Sequence, residues 1–312
     1  MSRDVNWAIF FENNERVADF LNQIVFQGNS SIRAEDIEDV STKLSFWVRI
    51  RGKWDAIRRD RDIVKKVLFG TTIVIADVEP QETIDYGYPL RELGYVFGEY
   101  ETQARKIRRR NRSRKLTGNN PEAGEVLYSF NRSDRLNPTI VFLLYSGKNT
   151  WDGPLSLHDM LEMNELPEEV KRYVSDYKVN LISVRDIPDE KIENTATDLG
   201  KVLMYIKNAD NLDRVSELFN DERYATLEPD ALSIVAEYSH DKRWLNNLEI
   251  NEKGEYIVCK AFDDIEERGR QQGMHQLLFA LYSDGEITIE NASKRLNITS
   301  EEFLKLYEES LK

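Results

Sequence analysis

Thr139-Ile140-Val141-Phe142-Leu143-Leu144-Tyr145 is an unbroken apolar run of strand length. It reads as a strand buried on both faces, which needs covering layers on either side. The pattern around it supplies them. Residues 5–27 are expected to form a helix, with Ile9, Val17, Phe20, Leu21 and Ile24 on one face and Gly28-Asn29 ending it. A strand is expected at Leu44–Ile50, followed by two hairpin arms, Arg61–Leu68 and Ile73–Glu79, joined by Phe69-Gly70-Thr71-Thr72. A long helix from about Pro89 to Arg110 has its proline in the first turn. A surface loop at Asn119–Gly124 and a short strand at Val179–Val184 follow, and the pattern turns helical from Pro188, notably at Leu199–Lys207 and Leu212–Phe219. This order predicts an α/β fold, a mixed sheet flanked by helices with an acidic helical C-terminal region.

The 312 residues are enough for two domains, expected at 1–190 and 191–312. Charge divides in the same way. The net charge is -13, yet residues 1–150 hold 24 Lys+Arg against 21 Asp+Glu, leaving 19 and 35 for residues 151–312. A polyanionic partner would therefore face the first half. No apolar run reaches the roughly 18 residues of a membrane span. Met1–Asp19 lacks the basic start and apolar stretch of a signal peptide, so a cytoplasmic location without membrane attachment is expected. The lone Cys259 excludes an internal disulfide framework and a thiolate-rich zinc site. No glycine-rich phosphate cradle is present, which argues against an ATP-driven enzyme.

On the second hairpin arm, Asp77, Glu79 and Gln81 alternate onto one face, and Val74, Ala76 and Val78 onto the other. If Leu68 pairs with Ile73, Asp62 stands opposite Glu79. A shorter connection would set Asp62 opposite Asp77 instead. Parity gathers the carboxylates in both registers. Like charges across a strand pair repel without a counter-ion. Such oxygen clusters suit Mg²⁺ or Mn²⁺, which polarise a phosphate and activate water. The same spacing also fits an exposed polar sheet face.

The blocks Arg61-Asp62-Ile63-Val64-Lys65 and Ile75–Tyr86 with Pro89-Leu90-Arg91 resemble the Arg-Asp and Glu-x-Gln blocks of a known nuclease group. It is the recombination-promoting nuclease/putative transposase (Rpn) family of the PD-(D/E)XK superfamily. Asp134–Thr139, Trp151–Leu161, Asp176–Ser183 and Thr197-Asp198-Leu199 extend the resemblance over about residues 5–220, and Trp151–Leu161 is its most specific word. The resemblance implies acids on adjacent strands of a mixed sheet, with Asp62 and Glu79 holding the divalent ion. Gln81 would take the place of the superfamily lysine and orient the attacking water. Lys66 faces Ile75 in this register, too far along the strand to replace that lysine. Two positions depart from the family pattern. Pro80 replaces the common Asn and implies an edge or ending strand. Asp77 replaces the common Gly and either adds a ligand or overloads the site with charge. An acid on the first helix is frequent in the superfamily; Glu15 and Asp19 are the candidates, and either also reads as a solvated surface acid.

Arg105, Lys106, Arg108, Arg109, Arg110, Arg112, Arg114 and Lys115 make eight cations in eleven residues at the end of the long helix. Beside a metal site they would bind DNA phosphates without sequence preference. A solvated loop, or a contact with the protein's own acidic half, fits the same run. His158, His240, His275 and Cys259 lack ligand or nucleophile constellations, and Tyr95, Phe97 and Tyr100 read as packing. Gly285–Thr299 resembles the first half of a helix-turn-helix, with Thr299 or Ser300 capping a helix Glu301–Leu311 and Glu302 at a capping-box position. That helix is acidic, so protein contact or self-association is favoured over DNA. The resulting expectation is a divalent-metal-dependent DNA endonuclease associated with recombination or transposition. The alternative is a weakened relative acting as a DNA- or protein-binding module.

Overall fold

The computed structural model of the protein describes residues 3–28, 31–50, 53–70, 72–114, 123–239, 245, 248–258 and 273–310. Lys115, residues 119–122 of the expected loop, His240, Cys259 and Leu311 lie outside the described residues. The chain divides into two compact units, Met1–Asp210 with Asp230–Tyr238, and Asn211–Pro229 with Ser239–Lys312.

The first unit opens with α1 (Arg3–Phe10) and α2 (Asn14–Asp19), the latter running into a π-helical turn at Phe20–Val25. The single helix expected over 5–27 is thus broken. Asn13 restarts it as an N-cap, its side chain accepting the Glu15 N–H at 2.8 Å. The main sheet has the order β1-β4-β5-β6-β7, built from β1 (Ile37–Asp39), β4 (Ile63–Phe69), β5 (Thr72–Gln81), β6 (Thr139–Tyr145) and β7 (Asn180–Ser183). Between β1 and β4 the chain makes a separate antiparallel pair, β2 (Lys43–Ile50) with β3 (Lys53–Asp60). Five of the eight β3 residues are charged, which hid that strand from an apolar pattern.

β4 and β5 pair antiparallel in the register that sets Leu68 against Ile73, with Gly70 at φ 59° in the turn. Val64, not Asp62, is the partner of Asp77, so the shifted register is not adopted. β5 pairs parallel with β6, and β6 with β7. β5 is therefore central and not an edge strand, but it ends at Gln81, one residue past Pro80, which is the other arrangement that Pro80 implied. Its β4 partner ends at Ile63 opposite Val78, whereas β6 continues to Gln81. Ile75 and Gln81 bond toward β6, by Ile75 N–H to Pro138 O and Ser146 N–H to Gln81 O. By alternation Pro80 faces the side that β4 has already left, where no ladder donor is needed.

Both faces of the hairpin are covered. Val74, Ala76, Val78 and Phe142 are buried on the side of the first helices, where Phe20 meets Phe142 at 6.4 Å between ring centroids. The acid-bearing face lies under α3 (Tyr88–Arg114). Its buried Tyr88, Glu92, Tyr95 and Glu99 recur at i, i+4, i+7 and i+11, one helix face. The exposed polar sheet face is thus excluded: Asp77 is 0% exposed and Glu79 4%.

After α3 come α4 (Ala123–Tyr128), α5 (Glu168–Lys171), α6 (Asp189–Glu193) and α7 (Asp198–Asn208). The first unit thus runs past the expected boundary at 190. α7 buries Leu199, Val202, Leu203 and Ile206, and Asp19 Oδ2 accepts bonds from Ala196 N–H, Thr197 N–H and Thr197 Oγ1–H at 2.8–2.9 Å. Within this unit, Arg16 also pairs with Asp230 of α9 (Pro229–Tyr238). The second unit holds α8 (Leu212–Asn220) and a small antiparallel sheet of Thr226–Leu227, Tyr256–Ile257 and Glu249–Ile250. It also holds a helix at 273–283, then Ile289–Leu296 and Ser300–Ser310, packed around Leu278, Ala292 and Phe303. The expected capping box is formed: Thr299 N–H donates to Glu302 Oε2 at 2.9 Å, and Glu302 N–H to Thr299 Oγ1 at 3.2 Å. No helix among the described residues is long and apolar enough to cross a membrane.

Candidate active site

The hairpin register brings Asp62, at the entry to β4, against Glu79 near the end of β5. Asp62 N–H donates to Glu79 Oε1 at 3.2 Å. Asp77 lies one alternation back on the same face, fully buried. Arg61 Nη1 is 3.7 Å from Asp77 Oδ2 and 3.3 Å from Glu99 Oε2. Among the described residues, neither Asp77 carboxylate oxygen has a hydrogen-bond donor within normal geometry. Burial raises the Asp77 pKa although Arg61 opposes it. Burial, then the charges of Asp77 and Asp62, raise Glu79 well above the carboxylate range. The cluster is therefore short of positive charge.

A polar cleft of about 370 Å³ opens over the pair, lined among others by Asp62, Glu79, Gln81, Arg91, Tyr95 and Tyr238. Arg91 Nη2–H donates to Gln81 Oε1 at 2.9 Å, and Gln81 Nε2–H makes a long 3.4 Å bond to Thr83 Oγ1. Arg91 Nη1 also pairs with Asp85 at 3.0 Å, and its guanidinium lies 4.8 Å from the centre of the Tyr88 ring. Tyr88 belongs to a core with Leu143, Tyr145 and Trp151, so the Trp151 word supports the helix end that carries Arg91. Further along α3, Glu92 is 0% exposed and accepts from Tyr177 O–H at 2.7 Å. Burial pushes its carboxyl up to about 7.

Asp62, Glu79 and Gln81 thus share one cleft. Lys66 does not reach it; it faces Ile75 and binds Glu38 at 2.6 Å. Of the first-helix acids, Glu15 is exposed, whereas Asp19 is buried and occupied with the 196–197 backbone rather than solvated. His158 ties two loops together, its Nε2 hydrogen-bonded to Val174 O at 3.0 Å. The aromatic trio on α3 divides. Tyr95 lines the cleft and the Tyr100 side-chain Oη accepts from Thr139 N–H at 3.2 Å, whereas Phe97 is 52% exposed.

The basic run is partly neutralised within the fold. Arg105 and Arg108 share Glu101 at 3.3 and 3.4 Å, Arg110 pairs with Asp134 at 2.5 Å, and Arg112 Nε–H meets Ser129 Oγ at 3.4 Å. Lys106 and Arg109 are exposed and make no ion pair among the described residues. Arg114 ends the helix. At 1.5 Å per residue the cations from Arg105 to Arg114 stand roughly 21 to 35 Å along α3 from Arg91. They can contact flanking phosphates but not the one at the acids.

Sequence reasoning gave no role to Arg61, Arg91, Glu92 or Glu99. The usable signal was the Tyr88-Glu92-Tyr95-Glu99 stripe, whose acids occupy the inner face of the helix. Among the described residues, no three His, Cys, Asp or Glu stand at metal-holding spacing. Two carboxylates with water and phosphate oxygens are nevertheless a fitting set for Mg²⁺, which keeps several waters.

Residues 126–227 match a family model described as Putative transposase, YhgA-like. No curated protein and no solved structure matches the chain. The matched stretch contains β6, the Trp151 word, β7 and α7, and begins beyond the hairpin that carries the acids. Over residues 126–227 the chain is similar to the YhgA-like putative transposases, which agrees with the resemblance in its sequence and associates it with transposition or recombination.

Proposed function

We propose that the protein is a divalent-metal-dependent endonuclease that hydrolyses DNA phosphodiester bonds. The observation that carries this reading is the convergence of Asp62 and Glu79 across the β4–β5 ladder at the mouth of a polar cleft. Asp62 and Glu79 would hold Mg²⁺ or Mn²⁺, and burial together with like charge leaves Glu79 in need of such a counter-charge. A bound divalent ion supplies Lewis acidity toward a phosphoryl oxygen and lowers the pKa of water. The chain's own residues hold the reactants: Asp62 N–H fixes Glu79 Oε1, and Arg91 fixes Gln81 Oε1 so that Nε2 can hold an oxygen atom by donation. Arg105, Lys106, Arg108, Arg109, Arg110, Arg112, Arg114 and Lys115 would meet flanking DNA, with Lys106 and Arg109 foremost because no acid among the described residues pairs them. Self-association through the helical C-terminal region is part of the same proposal.

A second reading has its own observation: Asp77 is fully buried beside the buried Glu79, and burial raises the pKa of both carboxyls. A binding module that has lost catalysis would have that property. The test is incubation of supercoiled and single-stranded DNA with Mg²⁺, Mn²⁺ or EDTA, beside Asp62→Ala and Glu79→Ala. Metal-dependent nicking lost in both folded variants supports the nuclease. DNA binding without metal dependence or nicking supports the module.

A further inference from the structure

We infer that Arg91 and Gln81 form a phosphate-binding subsite beside the acid pair, with Arg91 as the group that supplies positive charge to the cleft. The orientation of the Gln81 amide carries this assignment. Arginine has no acceptor, so the Gln81 atom 2.9 Å from Arg91 Nη2 must be the carbonyl Oε1. That leaves Nε2, a donor only, for the cleft. One of its two N–H groups makes only the long 3.4 Å contact with Thr83 Oγ1. A donor-only amide next to a guanidinium recognises an oxyanion, not a cation. Both side chains line the same cleft as Asp62 and Glu79.

Arg91 is also held ready. Its guanidinium lies on the Tyr88 ring at 4.8 Å, and Tyr88 is locked by Trp151 and Leu143. The Arg91 side chain keeps 31% exposure, so it is open to a ligand. Asp85 competes for it at 3.0 Å and is itself 31% exposed. A phosphate oxygen would therefore draw on a charge now shared with Asp85. The ligand class is a phosphate monoester or diester; DNA as its natural source rests on the nuclease reading above, whereas the subsite does not.

The probe is inorganic phosphate, titrated into the full chain carrying ¹⁵N-labelled glutamine, with the Gln81 side-chain NH₂ signal assigned by its loss in Gln81→Met. Phosphate should shift that signal in the wild type. Arg91→Met should weaken phosphate binding about tenfold or more, since a charge-assisted bond is lost. Arg91→Lys should restore part of it. Asp85→Asn keeps an acceptor for the Gly87 N–H, which Asp85 Oδ1 now accepts at 2.8 Å. Removing its charge should tighten phosphate binding roughly two- to fivefold. A merely structural role for Arg91 predicts no such gain. Phosphate binding that leaves the Gln81 signal still, or equal affinity in Arg91→Met and Asp85→Asn, overturns the subsite. Nicking by wild type and Arg91→Met alike would overturn it while the nuclease reading stands. Phosphate binding as described without any nicking would retain the subsite and remove the nuclease.

Discussion

Asp62 donates its backbone N–H to Glu79 Oε1 at 3.2 Å, so the two acids are tied through the main chain and not only by facing each other. The side chain of Asp62 can be removed without losing that bond. Asp62→Ala is therefore expected to fold and to keep Glu79 in place, while metal-dependent nicking falls about 100-fold or more. Glu79→Gln should abolish nicking to a similar degree and raise the melting temperature at neutral pH, because it removes a buried carboxyl that resists ionisation. Loss of folding in Asp62→Ala, or full nicking by either variant, would contradict this.

Glu92 supplies a pH test. Its folded pKa of about 7 is above the ordinary 4.5, mainly through burial. The unfolded chain therefore ionises it first, and the stability cost is absent below the ordinary value and grows as pH rises to the folded one. Glu92→Gln keeps an acceptor for Tyr177 O–H. It should leave stability unchanged near about pH 4 and add up to roughly 3 kcal/mol near about pH 8. Thermal melts of both proteins at the two pH values decide it; an equal shift at both would refute the assignment.

Divalent-ion binding should couple to protons. Glu79 must release its proton to bind an ion, so Mn²⁺ affinity is expected to rise with pH and calorimetry in paired buffers to record proton release. EDTA should reverse the accompanying rise in melting temperature. Asp62→Ala should lose most of this stabilisation.

The basic end of α3 predicts a graded salt response. Lys106→Ala and Arg109→Ala should each lower the slope of log affinity against log salt for duplex DNA by about 0.9. Arg110→Ala should change it less, since Asp134 already pairs that charge at 2.5 Å. Slopes unchanged from wild type in all three variants would place DNA elsewhere, and an equal fall in all three would contradict the pairing of Arg110 with Asp134.

Asp19 separates a structural acid from a catalytic one. Its Oδ2 accepts three bonds from Ala196 and Thr197 at the start of α7. Asp19→Ala should cost about 2–3 kcal/mol and leave nicking per folded molecule unchanged. A folded variant that no longer nicks would return Asp19 to the site.

What the sequence determined by itself is local and periodic. Alternation put Asp77, Glu79 and Gln81 on one face, and the apolar run at Thr139–Tyr145 formed the expected strand in full. Thr299 and Glu302 formed their capping box because its partners are three residues apart. Only the tertiary structure decided what covers each face. α3 lies over the acids and buries Asp77 and Glu79, which turned a plausible solvent face into a charge-strained cluster. The same packing brought Arg61 and Glu99 to Asp77 and set Arg91 on Gln81. It also took Asp19 from the expected surface into the cap of α7, across 177 residues of chain. The physical reason is range. Side-chain direction within a strand or helix follows from backbone geometry at that element. Burial and its electrostatic consequences depend on partners distant in sequence, and no local period records them.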